Sequence, residues 1–232
     1  MRFEVITLFP EVFPGVLGVG VVGRALEKGL ITLAMHNPRD FTRDRHRTVD
    51  DAPFGGGPGM VMKPEPLFEC VENLGDPRPL RILLSPQGEP FTQDAARRLA
   101  AGASRIALIC GRYEGVDERI RLGLADLDLS VGDYVLSGGE IAAMAVIETM
   151  ARLIPGVVGD RESVDTDSLE GSLLKYPQYT RPREYRGMTV PDILLSGHHE
   201  EIESWRREQS LKRTKTRRPD LFSCNKSEEN GN

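Results

Sequence analysis

Two glycine-centred stretches carry the residue types best suited to chemistry. Gly111-Arg112-Tyr113-Glu114-Gly115 follows the apolar run Arg105 to Cys110, and Ser137-Gly138-Gly139-Glu140 follows a second run, Val131 to Leu136. Glycine lets backbone N–H and C=O groups come close to a ligand. The flanking acids, arginine and tyrosine add charge and hydrogen bonds. Either stretch alone reads as an ordinary tight turn. Each one ends a predicted strand, and together they point to a small-molecule pocket, because ligands of open α/β sheets sit beyond the carboxyl ends of strands. A third such end is Ser85-Pro86-Gln87-Gly88, which closes the run beginning at Leu80.

Other stretches resemble known devices without meeting their requirements. Gly18-Val19-Gly20-Val21-Val22-Gly23 has GxGxxG spacing, but the dinucleotide fingerprint follows its strand directly. Here Pro10 and Pro14 intervene, so packing or a loop is the better account. Gly55 to Gly59 is glycine throughout except for Pro58, with no Gly-Lys-Ser/Thr after it. It is no P-loop, yet a loop so flanked by charge more often binds something than merely connects. Cys70, Cys110 and Cys224 lie far apart, which argues against a disulfide framework and for a reducing cytoplasm. No CxxC or HxxxH pair exists, and His198 and His199 are adjacent, so a structural zinc site is not expected.

The elements that must position these stretches follow from periodicity. Residues 2–8 and 31–36 read as strands, with a loop and helix from Glu11 to Leu30 between them. Residues 64–74 and Thr92 to Ala101 read as helices, the latter with Thr92 as its cap. Ile141, Met144, Ile147, Ala151 and Ile154 recur at helical spacing until Pro155 stops the helix. Strands alternating with helices indicate an α/β fold with a mostly parallel sheet. After Pro155 the chain turns polar and acidic and reads as a linker. His199 to Arg218 reads as a basic helix with Ile202, Trp205 and Leu211 as its apolar points. This suggests a small, mostly helical second domain, followed by a disordered tail after Phe222.

Composition narrows the class. In 232 residues, 28% are charged and 39% hydrophobic, which fits a soluble globular chain without a membrane partner. No apolar run reaches membrane-spanning length, and the N-terminus reads as a strand, not a signal peptide. The net charge of −5 disfavours nucleic acid at first sight. Phosphate binding depends on local clusters, however. Arg39, Arg43, Arg45, His46 and Arg47 form one such cluster. Arg206, Arg207, Lys212, Arg213, Lys215, Arg217 and Arg218 form another, interrupted by the single acid Glu208.

Taken in order, these segments resemble the bacterial tRNA (guanine-N1)-methyltransferases of the TrmD type, in the SPOUT superfamily. The matching stretches are Asp40-Phe41-Thr42, Asp44 to Asp51, Gly55 to Met60, Ser85 to Gly88, Cys110 to Arg119, Gly132 to Glu140, Ile154-Pro155-Gly156 and Tyr179 to Pro182. They cover the chain from residue 1 to about 221. The resemblance implies a SPOUT domain over 1–158 with a C-terminal trefoil knot at about 80–155. A flexible linker at 159–171 and a small helical tRNA-binding domain at 172–232 would follow. It also implies methylation of N1 of the guanine immediately 3′ of the anticodon. S-adenosylmethionine would be the cofactor and Mg2+ an accessory ion with no ligands assigned. The enzyme would be a cytoplasmic homodimer with active sites shared between subunits.

The resemblance also assigns residues. Cofactor contacts fall on Leu84, Ser85, Pro86, Gly111, Tyr113, Glu114, Val131, Gly132, Asp133, Tyr134, Val135, Leu136, Gly138 and Gly139. Asp167 becomes the general base and Arg152 the cation that steadies charge on the guanine. By residue type alone these two read as a linker acid and a helix-end arginine. The tRNA contacts fall on Arg24, Arg43, His46, Asp50, Pro58, Gly59, Ser163, Arg217 and Arg218. Two positions depart from the family pattern: Ala142 where proline is common and Gln178 where histidine is common. Two other classes compete with this reading. One is a non-catalytic RNA-binding protein, which would have no need of the intact glycines and Asp167. The other is an α/β oxidoreductase, weakened by the misplaced GxGxxG.

Overall fold

A computed structural model describes residues 1–159, 168–169 and 173–224. The chain divides into two compact units, Met1–Gly159 and Asp160–Asn232.

The first unit is built on a parallel sheet of strands β1 (Arg2–Ile6), β2 (Thr32–His36), β5 (Leu80–Pro90), β6 (Arg105–Cys110) and β7 (Leu127–Ser130). Their order is β2-β1-β6-β5-β7. The inner strands are apolar on both faces, as expected when helices cover both sides of a parallel sheet. One face packs Phe3, Val5, Ile82, Ile106 and Leu108 against helices α1 (Phe13–Leu17), α2 (Gly20–Glu27), α4 (Gln93–Gly102) and α6 (Glu140–Ala151). The other packs Ile6, Leu83, Ala107 and Ile109 against α3 (Pro64–Glu72) and α5 (Glu118–Gly123). A hairpin of β3 (Asp50–Asp51) and β4 (Val61–Met62) carries the Gly55 to Gly59 loop.

Three sequence expectations need correction. Val131 to Leu136 is not a strand. The strand is β7, just before it, and Val135 is 90% exposed. Leu127 and Leu129 alternate with Asp128 and Ser130, a pattern shorter and more polar than the apolar run that follows it. The polar connection after Gly115 contains α5, whose charged residues conceal the buried Ile120. Helix α6 ends at Ala151, before Leu153 and Ile154, and Ile141 is 63% exposed. Its packed face runs instead through Ala142, Ala143, Val146, Ile147 and Met150. Of the GxGxxG glycines, Gly23 lies against the Gly18 carbonyl so closely that a Cβ would overlap it, which is a packing role.

The second unit contains a short hairpin, β8 (Glu184–Tyr185) with β9 (Met188–Thr189), and helices α7 (His199–Arg217) and α8 (Leu221–Cys224). Leu211 is exposed. Ser210 and Thr214 form the buried face in its place, and Thr214 Oγ1 accepts from Leu174 N at 2.9 Å. Arg206 stacks on Tyr176 at 4.8 Å, and Arg213 donates to the Lys175 carbonyl at 3.3 Å. Part of the basic cluster therefore holds the unit together. Among the described residues, no helix is long and apolar enough to cross a membrane.

One buried charge lies inside the sheet. Glu4 is fully buried on β1. It meets His36 Nε2 at 2.7 Å, Arg105 Nε at 2.8 Å and Arg2 Nε at 2.6 Å. Arg105 also donates to the carbonyls of Leu74, Gly75 and Pro77, beyond the end of α3. Burial pushes the Glu4 carboxyl up, but the hydrogen bonds from His36, Arg105 and Arg2 outweigh it and hold it below its ordinary value. The resulting stabilisation is complete above the unfolded-state pKa of about 4.3. It is lost as pH falls through the lower folded value. Glu4→Gln is expected to cost about 3 kcal/mol or more at neutral pH, a fall in Tm of roughly 6–12 °C. Scanning calorimetry across pH checks this. The gap from wild type should narrow on acidification below about pH 4, and a constant gap would remove Glu4 as the titrating group.

Candidate active site

The carboxyl ends of β5, β6 and β7 open into a cavity of about 280 Å³. This is near the low end for small-molecule sites, roughly 300 Å³. The three strand ends meet here for local reasons. Strand β5 pairs with β7 up to Leu84, breaks register, and resumes at Glu89, so residues 85–88 bulge out as a loop. Gly88 sits where a Cβ would overlap the backbone of Asp128 and Leu129. Past β6, Tyr113 adopts φ +63°, uncommon for a bulky residue. Gly115 N donating to Arg112 O at 3.1 Å and Glu114 N donating to Met60 O at 3.0 Å hold that turn. Past β7, the chain returns to β6: Gly139 N donates to Gly111 O at 2.9 Å, and Gly138 bridges Arg112. A Cβ on Gly139 would lie 2.7 Å from Cys110 Cα, so only glycine permits this approach.

The residues expected at the cofactor loops line this cavity, except Asp133. Ala142, one of the two departures, also lines it, while Gln178 is exposed in the second unit. Apolar groups from Leu84, Val131, Leu136 and Ala142 alternate around the wall with glycine backbone. That lining suits a flat heteroaromatic ring held by its edges, and the Glu114 carboxylate suits a cationic group. The residues present therefore fit S-adenosylmethionine. Cys110 lies fully buried behind the wall. Burial and the Glu140 charge push its thiol well up, so it supplies no thiolate. Among the described residues, no group of three or more His, Cys, Asp or Glu side chains is arranged to hold a metal ion.

Two arginines to which sequence reasoning assigned no site role also line the cavity, Arg112 and Arg121. Arg121 pairs with Asp128 on β7 and with Glu118 at 3.3 Å, and approaches Ser85 Oγ at 3.4 Å. It ties α5 to the β5 and β7 loops. Its signal was hidden because its partners come from three separate segments.

The hairpin beside the cavity is joined to the β6 loop by backbone. Besides Glu114 N to Met60 O, Met62 N donates to Gly115 O and Asp117 N to Met62 O, both at 3.0 Å. Gly59, at φ +82°, lies against the Glu114 side chain, where any Cβ would overlap it. Pro58 and Gly59 are both exposed, and Gly59 lies next to a cavity-lining residue. The Arg39 to Arg47 cluster is partly structural. Arg39 and Arg47 each donate to the other's backbone carbonyl, Arg47 pairs with Asp40, and Arg43 pairs with Glu69 at 3.2 Å. Asp44 accepts from Thr48 and from His46 N. The Thr48 hydroxyl in particular holds its carboxyl below the usual range. Arg24, Arg43 and His46 are exposed, and Asp50 is half-buried on β3.

The remaining expected residues lie elsewhere. Arg152 follows the last turn of α6, away from the cavity into which the start of that helix opens. Arg217 is exposed on α7, and Arg218 pairs with Asp220 at 2.6 Å. Asp167 and Ser163 lie outside the described residues.

A family model described as tRNA (Guanine-1)-methyltransferase TrmD matches residues 1–224. The chain belongs to this family. A protein named tRNA (guanine-N(1)-)-methyltransferase from Gloeobacter violaceus is 55% identical over 224 residues, covering 96% of this chain and 98% of the relative. A protein of the same name from Brevibacillus brevis is 55% identical over 223 residues, covering 96% and 91%. One from Desulforudis audaxviator is 52% identical over 231 residues, covering 98% and 92%. In a TrmD-family chain, the glycine-walled cavity and the neighbouring Gly-rich hairpin are the features that call for a chemical account.

Proposed function

We propose that this TrmD-family chain methylates N1 of a guanine in tRNA, the one immediately 3′ of the anticodon (position 37). The methyl donor is S-adenosylmethionine. The observation that carries the reading is the cavity at the ends of β5, β6 and β7, in a chain that matches the family over nearly its whole length. The cofactor, when bound, supplies a methyl group activated by a sulfonium charge. Leu84, Gly111, Val131, Gly132, Tyr134, Val135, Leu136, Gly138 and Gly139 would hold its adenosine part, and Glu114 would take its cationic part.

Neutral guanine carries a proton on N1, so the nitrogen lone pair is not free to attack. Asp167 takes that proton, and Arg152 steadies the charge that grows on O6. Arg152 follows a helix of 12 residues whose first turn borders the cavity. At ~1.5 Å per residue it lies about 18 Å along the helix axis from that end. This distance supports a homodimer in which one subunit's Arg152 and Asp167 serve the other's cavity. Arg24, Arg43, His46, Asp50, Pro58, Gly59, Ser163, Arg217 and Arg218 contact the tRNA. The basic side chains among them hold phosphates, which set register without reading sequence.

The domain reading is part of the same proposal: a SPOUT domain at 1–158, a linker at 159–171 and a tRNA-binding domain at 172–232. So is the trefoil knot at about 80–155. Its support is that β7 lies on the outer side of β5, while the chain after β7 crosses back to pair with Arg112 beyond β6. Action in the cytoplasm fits the same reading. No step is assigned to Mg2+, for which the described residues offer no ligand cluster.

The test is transfer of tritiated methyl groups from S-adenosylmethionine to unmodified tRNA. Label should appear with guanine 3′ of the anticodon and vanish when that base alone is changed to adenine. Equal labelling of both tRNAs would refute the assigned target.

A further inference from the structure

A buried charge network behind the cavity takes no part in the chemistry described above. Glu140 is the first residue of α6 and is 3% exposed. Thr7, fully buried just past β1, donates from Oγ1 to Glu140 Oε1 at 2.8 Å and accepts from Phe9 N at 3.0 Å. Glu140 Oε2 lies 2.9 Å from Arg112 Nη2. This approach is off the hydrogen-bond line: Oε2 accepts no hydrogen bond, and the buried Arg112 Nε has no acceptor. The link is therefore one of charge, in a place where water screens it poorly.

Arg112 spans the two cavity walls. Its Nη1 donates to Ser137 O at 3.2 Å, its guanidinium covers the Phe9 ring at 4.4 Å, and its backbone bridges Gly138. A Cβ on Gly138 would overlap its side chain. The loop after β6 and the turn before α6, joined by backbone from Gly139 N to Gly111 O, are thus also clasped by the Arg112 side chain. That arginine is anchored by one buried carboxylate, which is in turn held by a buried hydroxyl.

We propose that Glu140 is a positioning residue for the cofactor site. Through Arg112 it holds the Ser137–Gly139 turn against the Gly111–Tyr113 loop, so two cavity walls are in place before the cofactor arrives. A site already ordered leaves less entropy to be lost on binding. Burying a carboxylate is costly; the cost is reduced here at a helix N-terminus and by the Arg112 charge. A role confined to filling space would not require that charge. The proposal rests on the reading that this cavity takes S-adenosylmethionine.

Titration calorimetry with S-adenosylmethionine tests it. Glu140→Gln keeps the shape and can still accept from Thr7, but loses the charge facing Arg112. Its Kd should rise roughly tenfold, as should that of Arg112→Met, and the double variant should bind no worse than Arg112→Met alone. Turnover of Glu140→Gln at saturating cofactor should stay within about threefold of wild type, so that its loss appears in KM. A Glu140→Gln protein with a lower Tm but wild-type Kd would make Glu140 a strut of the fold and overturn the proposal. Additive losses in the double variant would overturn it as well. If Glu140→Gln does not fold, Thr7→Val carries the test: weaker binding that Thr7→Ser restores supports the proposal, and unchanged binding overturns it. Wild-type protein that binds no S-adenosylmethionine would overturn the cofactor reading and this proposal with it. Wild-type binding with an unaltered Glu140→Gln would overturn this proposal alone.

Discussion

Asp167→Asn is expected to lower the single-turnover methylation rate by about a hundredfold or more while both substrates still bind. Asparagine keeps the size and much of the hydrogen bonding of aspartate but cannot accept the N1 proton. The proton must leave as the N–methyl bond forms, because protonated N1 has no lone pair to give. The loss therefore falls on the chemical step and not on affinity. Rapid-quench kinetics at saturating tRNA and S-adenosylmethionine measure it. An unchanged rate would assign the proton to another group. A loss confined to tRNA Kd would make Asp167 a binding residue only.

A comparably large effect is expected from mixed dimers. One subunit carries Asp167→Ala. The other carries Gly138→Val, whose branched side chain overlaps Arg112 and so pushes the Ser137–Gly139 turn itself out of place, a larger lesion than loss of the Arg112 side chain. Gly138 is chosen over Gly139, because a side chain on Gly139 would meet the Cys110 backbone and endanger the fold. Each parent homodimer should be nearly inactive. If base and cavity come from different subunits, a mixed dimer has one site with both lesions and one with neither. It should then recover about half of wild-type activity by site counting. Mixed dimers that assemble and bind tRNA yet remain as inactive as their parents would place base and cavity in the same subunit.

The parts of the fold that were legible are those where one physical demand dominates. Residues 105–110 and the start of β5 read as strands because both faces are buried and almost every side chain is apolar. Strand β7 escaped notice because Asp128 and Ser130 break its apolar run. Helix α5 escaped because it is short and its charged residues outnumber its one buried side chain, Ile120. The cavity was visible through its glycines, whose close approaches leave a mark in the residue type itself. Arg112, Arg121 and Asp44 left no such mark. Their meaning depends on partners such as Glu140, Asp128 and Thr48, and nothing in the spacing announces those pairings. Asp167 and Arg152 stand out only by family likeness. Their residue types fit a linker and a helix end equally well.

The strand order has a consequence in time. Glu4 is made at the start of synthesis, and Arg105, which completes its pairing, is 101 residues away. At roughly 5–20 residues per second, the ribosome needs about 5–20 s to cover that distance. During this interval β1 can pair only with β2, where His36, 32 residues after Glu4, already offers a partner. Strand β5 is synthesised before β6 yet lies outside it in the sheet, so it cannot take its place until β6 has been inserted beside β1. The nascent chain therefore carries an open edge on β1 and the apolar strand β5 with nowhere to dock until β6 has been made as far as Cys110. This places the demand for protection by a chaperone on the first half of synthesis, before any residue of α6 exists.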